Sequence, residues 1–210
     1  MFTLSQMVYD KYTQLDAYNI LIIGLDNSGK STLIECIKSM FTNRRALHTL
    51  VPTVGLNTFK LRYAMPPNTN FCIPIPRKVH LTFWDLGGQT ELQQLWSTYY
   101  PDCHAILYLI DSTDHHRLSS NVQILKSVLL NQDADVPMLL LANKQDVEQA
   151  LPIHQIKEIV QNPLAEYLDV KEAQTLGISA LQGDGVREAL TWIINRIQLN
   201  INSRPANSAK

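Results

Sequence analysis

The stretch Gly24-Leu25-Asp26-Asn27-Ser28-Gly29-Lys30-Ser31 constrains the fold of this chain more than any other. It follows the strand-length apolar run Asn19-Ile20-Leu21-Ile22-Ile23 and precedes Thr32-Leu33-Ile34-Glu35-Cys36-Ile37, which has helical spacing. A strand, a glycine-bounded loop and a helix give G-x-x-x-x-G-K-[ST] the context of a phosphate cradle rather than of a chance glycine-rich turn. Gly24 and Gly29 let the backbone curl so that successive N–H groups face one concavity, and the helix N-terminus adds its positive end. The candidate phosphate-binding residues therefore run from Gly24 through Leu25, Asp26, Asn27, Ser28, Gly29, Lys30 and Ser31 to Thr32. Lys30 is expected at the β- and γ-phosphates, and the Ser31 hydroxyl on Mg²⁺.

Strand and helix patterns alternate along the rest of the chain. Strands are expected at Leu56–Tyr63, Val79–Trp84, Ala105–Ile110, Pro137–Ala142 and Thr175–Ile178. Helical stripes are carried by Leu92, Trp96 and Tyr99, by Leu118, Val122, Leu125 and Leu129, and by Ile153, Ile156, Ile159 and Val160. The cleanest stripe is Val186, Ala189, Leu190, Ile193, Ile194 and Ile197. Such alternation implies βαβ units and a mostly parallel sheet with helices on both faces, an α/β fold. Ligands of such sheets bind beyond the carboxyl ends of the strands, so the first loop, Asp85, Asn143 and Ser179 are expected on one rim. The connection 64–78 contains Pro66, Pro67, Pro74 and Pro76, which keep its outer part from pairing as regular sheet. It reads as an extended hairpin insertion.

With 210 residues, 45% of them hydrophobic, the chain has room for one domain with a substantial core. A net charge of −1 gives no electrostatic support for a nucleic-acid partner. The three cysteines, Cys36, Cys72 and Cys103, match neither a disulfide framework nor a zinc pattern, which favours a reducing compartment. No apolar run reaches the ~20 residues a membrane span requires, and Met1–Asp16 lacks the hydrophobic block of a secretory signal. A soluble, cytoplasmic monomer is expected. Leu4, Val8, Tyr12 and Leu15 form an apolar stripe ahead of the first core strand. That stripe suits a helix packed on the domain, a helix lying in a membrane interface, or one that alternates between the two. Phe2 stands where N-myristoylation needs glycine.

Asn143-Lys144-Gln145-Asp146 selects among nucleotides. A carboxylate there can accept both N1–H and the exocyclic amine of guanine. Adenine lacks that pair and leaves the acid unpaired, a discrimination that reaches ~10⁴–10⁵. Lys144 is expected along the base, Asn143 as a tie to neighbouring elements, and Ser179-Ala180-Leu181 as backbone donors to the guanine carbonyl. Asp85 ends an apolar strand and can reach Mg²⁺ through water, while Thr53 can add a second hydroxyl for the metal. Gly88 allows a backbone N–H to approach the γ-phosphate, and Gln89 can orient the attacking water as the catalytic residue. Two other readings of the phosphate loop stand beside a GTP switch. A nucleotide kinase would need an arginine-rich lid, of which the chain shows no run, and Gln89 argues against a scaffold that never hydrolyses.

The runs GLDNSGKS, PTVGLN, WDLGGQ, NKQD and SAL, in this order and spacing, resemble the Arf/Arl family of small GTPases over essentially residues 1–200. Leu92-Gln93, Leu95-Trp96, Tyr99-Tyr100, Cys103-His104 and Asp111-Ser112-Thr113-Asp114 are most similar to the Arf-related subgroup of the trans-Golgi. The resemblance implies a P-loop small GTPase fold with an N-terminal amphipathic helix over 1–17 and a G domain over 18–199, while the polar composition of 200–210 reads as a disordered tail. It implies GTP and GDP with Mg²⁺ as ligands, and slow intrinsic hydrolysis. The partners implied are an exchange factor, a GTPase-activating protein, recruited effectors and a Golgi membrane receptor, with peripheral attachment through the N-terminal helix to Golgi and trans-Golgi membranes. Leu56, Trp84 and Tyr99 fall on the effector-facing apolar patch, with Leu56 standing where Arfs usually carry phenylalanine.

Overall fold

A computed structural model describes residues 15–42, 53, 55–64, 78–133, 135–170 and 173–208. The first strand explains the layout. In β1 (Asp16–Gly24), Ile20 and Ile22 are buried in one apolar cluster, and Leu21 and Ile23 in another. Successive side chains leave a strand on opposite faces, so a run apolar at every position must be covered twice. The helix that follows the loop, α1 (Lys30–Thr42), covers the first face together with the last long helix of the chain. The other face is covered by α3 (Leu118–Asn131) and by the segment 153–170.

The remaining strands are β2 (Leu56–Ala64), β3 (Lys78–Leu86), β4 (Ala105–Asp111), β5 (Met138–Asn143) and β6 (Gln174–Gly177). The sheet runs β2-β3-β1-β4-β5-β6, parallel except for the β2–β3 hairpin. β1 therefore sits where the strand order reverses, the usual crevice for a ligand in an open α/β sheet. Edge strand β2 is mostly exposed and carries Lys60 and Arg62, charges that discourage another chain from pairing there. Among the described residues no helix is long and apolar enough to cross a membrane.

Three expectations change. The Leu92–Tyr100 stripe is not one helix: α2 is the single turn Thr90–Gln93, and Trp96–Asp102, which contains Pro101, winds as 3₁₀ helix. The stripe over 153–160 is similarly broken. It passes from α4 (Ile153–Ile156) through a π-turn at Lys157–Gln161 and a 3₁₀ turn at Asn162–Leu164 to α5 (Ala165–Val170). Pro163 supplies the reason for this break, because it has no N–H for an interior helical bond. The third change concerns the chain ends. Residues 200–208, expected as part of a disordered tail, pack after α6 (Val186–Leu199), and β7 (Asn207–Ser208) pairs antiparallel with Asp16 and Ala17. β4 first pairs with β1 at Ile20, leaving that side of the strand start open for β7. The boundary expected at residue 18 accordingly moves to Asp16, where β1 begins. The helix and membrane expectations for residues 1–14 lie outside the described residues, as does the insertion between Ala64 and Lys78, which themselves form the last hairpin pair.

Candidate functional site

The phosphate loop leaves β1 at Gly24 and enters α1 at Lys30. Gly29 has φ +93°, and a Cβ there would lie 2.2 Å from Asn143 Nδ2, so both its backbone angle and its surroundings require glycine. Lys30 is buried, and its Nζ donates to the carbonyls of Gly24 at 3.0 Å and Leu25 at 2.7 Å. Burial lowers its pKa to about 8, partly offset by the carboxylates of Asp85 and Asp26, while Arg117 pushes it further down.

Three oxygens meet beside this loop. Ser31 Oγ donates to Asp85 Oδ2 at 2.7 Å and lies 2.8 Å from Thr53 Oγ1, which is 3.3 Å from the same carboxylate oxygen. Asp85 Oδ1 is buried with no hydrogen-bond partner among the described residues. Burial raises the Asp85 pKa against the hydrogen bond from Ser31 and the charge of Lys30. A hard oxygen set with one orphaned carboxylate oxygen fits Mg²⁺ and its waters. Ser31, Thr53 and Asp85 would hold that ion, which supplies charge to stabilise the phosphate oxygens.

A cleft of about 260 Å³ opens here, lined by Asp26, Asn27, Gly29, Lys30, Ser31, Thr32, Thr53, Gly87, Gly88 and Gln89. Gly88 packs so closely on the phosphate loop that a Cβ would fall 2.4 Å from Gly24 O, Leu25 C and Asp26 N. Gln93 Nε2 donates to Gly88 O at 3.0 Å and Trp96 Nε1 to Gly87 O at 3.0 Å, anchoring the Gly87–Gln89 segment from its helical side. Gln89 is exposed and makes no side-chain cap, leaving its amide available to a water in the cleft. Sequence reasoning missed Gln93 and Trp96, because a helical stripe says nothing about which side chain turns back to a loop carbonyl.

The guanine-selecting residues do not line that cleft; they form a neighbouring shoulder joined to it by Asn143. Its Nδ2 donates to Ser28 O at 2.8 Å and its Oδ1 accepts from Ala180 N at 2.9 Å, so one buried amide spans three loops. Lys144, at φ +66°, pairs with Asp111 at 2.6 Å. Asp146 is half-buried, and its carboxylate makes no hydrogen bond or ion pair to the described residues, as an acid reserved for a base requires. The expected donors at 179–181 narrow. Ser179 N–H donates to Asp184 O and Ala180 N–H to Asn143, leaving Leu181 N–H as the free one among the described residues. Asp111 was absent from the site expected on sequence, although it ends an apolar strand just as Asp85 does.

On the opposite face of the hairpin from Asp85, Trp84 and Leu56 lie diagonally across the β2–β3 pair, and Tyr99 packs edge-on to Trp84 at 5.5 Å. Leu56 is exposed, and so is Leu95, which lies on the turn between α2 and the 3₁₀ segment that carries Tyr99. Among the described residues His115 and His116 join no group that could hold a metal ion; the turn Asp114–Arg117 is closed by Asp114 accepting from Arg117 N–H.

Phosphate and base are thus served by different loops on one sheet rim, tied by a single asparagine, which is how a small GTPase is built. The comparisons with known proteins narrow that class. A sequence profile of the ADP-ribosylation factor family matches residues 4–197, and this chain belongs to that family. It is 39% identical to ADP-ribosylation factor-like protein 3 of Saccharomyces cerevisiae over 207 residues, covering 98% of each chain. It is also 39% identical over 209 residues to ADP-ribosylation factor-related protein 1 of Homo sapiens, covering 98% of this chain and 97% of the relative. The Arl6 BBS3 small GTPase of Trypanosoma brucei, solved with the nucleotide analogue GppNp, superposes with a TM-score of 0.70 at 26% identity. The alignment covers 88% of this chain and 99% of that one. The protein is accordingly a GTPase that binds GTP and GDP with Mg²⁺ and acts as a GTP-binding switch in trafficking.

Proposed function

We propose that this switch recruits effectors to Golgi and trans-Golgi membranes, with the terminal phosphate of GTP deciding when it does so. The observation that carries the reading is the meeting of Ser31, Thr53 and Asp85 beside a cleft closed by Gly88. Thr53 belongs to the segment leading into β2, and Gly88 to the segment leaving β3. A γ-phosphate and its Mg²⁺ hold both segments, and hydrolysis releases them. Both segments adjoin the Leu56–Trp84–Tyr99 patch, so the phosphate state sets the shape of the surface an effector meets. Exchange of GDP and rapid hydrolysis are assigned to an exchange factor and an activating protein. No arginine lines the cleft among the described residues, and a supplied arginine is worth ~10³–10⁵ in rate.

Attachment is assigned to the apolar stripe Leu4, Val8, Tyr12 and Leu15 together with a Golgi membrane receptor. The likeness to the Arf-related relatives supports this assignment. Capture from cells with each nucleotide state trapped is the test: proteins retained only by the GTP-analogue form are expected, and identical sets in both states overturn the switch. Deleting residues 1–15, which stops short of β1, is expected to disperse the protein from Golgi membranes; unchanged localisation removes that assignment. Gln89→Leu is expected to slow hydrolysis by about 10²-fold with nucleotide affinity unchanged, read by single-turnover phosphate release.

A further inference from the structure

The turn after β4 places an arginine on the phosphate loop that no sequence signal announces. Arg117 Nη1 donates to Asp26 Oδ1 at 2.6 Å and Nη2 to the Asp26 carbonyl at 3.3 Å, across 91 positions of chain. Its Nε pairs with Asp114, the residue that closes the turn. At the other end of the same turn, Asp111 Oδ1 accepts from Thr113 N–H and hydroxyl, and its Oδ2 holds Lys144 at 2.6 Å. The turn is therefore pinned between the base-selecting loop and the phosphate loop by an ion pair at each end.

Asp26 lines the phosphate cleft and Arg117 does not. A carboxylate on a loop that must wrap a polyphosphate is an electrostatic misfit, since like charges at close range repel. Lys30 makes no ion pair with it, its ammonium being bonded to the Gly24 and Leu25 carbonyls, whereas Arg117 grips it directly. Both partners act on the cleft all the same: beneath the dominant effect of burial, the Asp26 carboxylate raises the Lys30 pKa and Arg117 lowers it. We propose that Arg117 is a positioning residue for nucleotide retention, which holds Asp26 against the turn and cancels its charge so that the carboxylate does not repel the bound phosphates. The inference rests on the cleft holding the phosphates of GTP and GDP. As an exposed ion pair the contact adds little to folding stability, so its effect is expected in nucleotide kinetics.

The test is a charge cycle on the full chain loaded with a fluorescent GDP and Mg²⁺. Dissociation rates are measured for the unmodified protein, Arg117→Gln, Asp26→Asn and the double variant, at low and high salt. Arg117→Gln is expected to release nucleotide about three- to tenfold faster at low salt, the size of one partly screened charge interaction. Asp26→Asn is expected to release no faster than the unmodified protein. The double variant is expected to return to within about twofold of it, and the Arg117→Gln effect to shrink in high salt. A tether without an electrostatic role gives another pattern: both single variants fast, the double no slower, and no salt dependence; that result overturns the proposal. Should Arg117→Gln fail to fold, Arg117→Lys serves instead. It keeps the charge without the two-pronged grip, and its release rate is expected within about threefold of the unmodified rate, whereas a tenfold rise counts against charge cancellation. Failure of the unmodified protein to bind nucleotide would overturn the GTPase reading itself, which is a separate outcome.

Discussion

Lys30 carries two demands at once, a buried position and a charge that must meet phosphate. Its pKa of about 8 in the free protein means that it is charged at neutral pH and loses its proton as the pH rises through that value. Facing a triphosphate, the same amine keeps its proton, so above about pH 8 binding must take up a proton. GTP affinity is therefore expected to hold constant up to that pH and then fall by up to about tenfold per pH unit. Equilibrium titration with a fluorescent GTP analogue checks this; affinity that stays level up to the ordinary lysine range contradicts it. Gly88 shows the second residue-scale constraint. Because a Cβ there meets the phosphate-loop backbone at 2.4 Å, Gly88→Ala must hold the segment after β3 away from the loop. GDP binding is expected to survive within about fivefold, and hydrolysis to fall at least about tenfold, as loss of a positioned group does. Trp96, bonded to Gly87 O, provides the readout: a fluorescence change between GDP and GTP analogue is expected in the unmodified protein and none in the variant.

At the scale of elements, the site works because loops at the ends of β1, β3, β5 and β6 are fastened to one another rather than merely adjacent. Asn143 is the clearest fastening, with both ends of its amide used in a buried position. Asn143→Ala leaves Ser28 O and Ala180 N–H without partners, a loss of about 2–4 kcal/mol. Chemical denaturation of the nucleotide-free protein is expected to show it, and an unchanged midpoint would mean that solvent satisfies both groups. The strands of this arrangement were legible in the sequence, because Ile20–Ile23, Ala105–Ile110 and Met138–Ala142 are apolar at every position and of strand length, as a strand covered twice is. The helical stripes were less faithful. Leu92, Trp96 and Tyr99 keep the spacing of a helix, yet Pro101 and the pull of Gly87 O and Gly88 O on Trp96 and Gln93 settle that stretch as a short turn and a 3₁₀ segment.

Over the whole molecule, the C-terminal segment closes the side of the sheet away from the nucleotide rim. Arg204 donates to Tyr100 O at 2.9 Å and Pro101 O at 2.6 Å and pairs with Asp133 and Asp135, while His104, buried, binds Pro205 O and accepts from Asn19 N–H. Arg204→Ala is expected to cost about 1–3 kcal/mol, chiefly through the two carbonyls, and to lower the melting temperature by a few degrees, with nucleotide affinity unchanged. Loss of affinity would show that this end of the fold communicates with the site. The sequence by itself determined the strands, the phosphate loop and the guanine-selecting run, because each is written in residue types at short spacing under local rules of backbone and side-chain geometry. It also marked Ser31, Thr53 and Asp85 as oxygen donors, whose meeting the fold then made. Tertiary structure alone decided that the tail pairs with β1, that Leu181 is the free donor of its loop and that Arg117 meets Asp26. Those contacts join residues far apart in the chain, and only the folded sheet brings their charges and hydrogen-bonding groups within reach of one another.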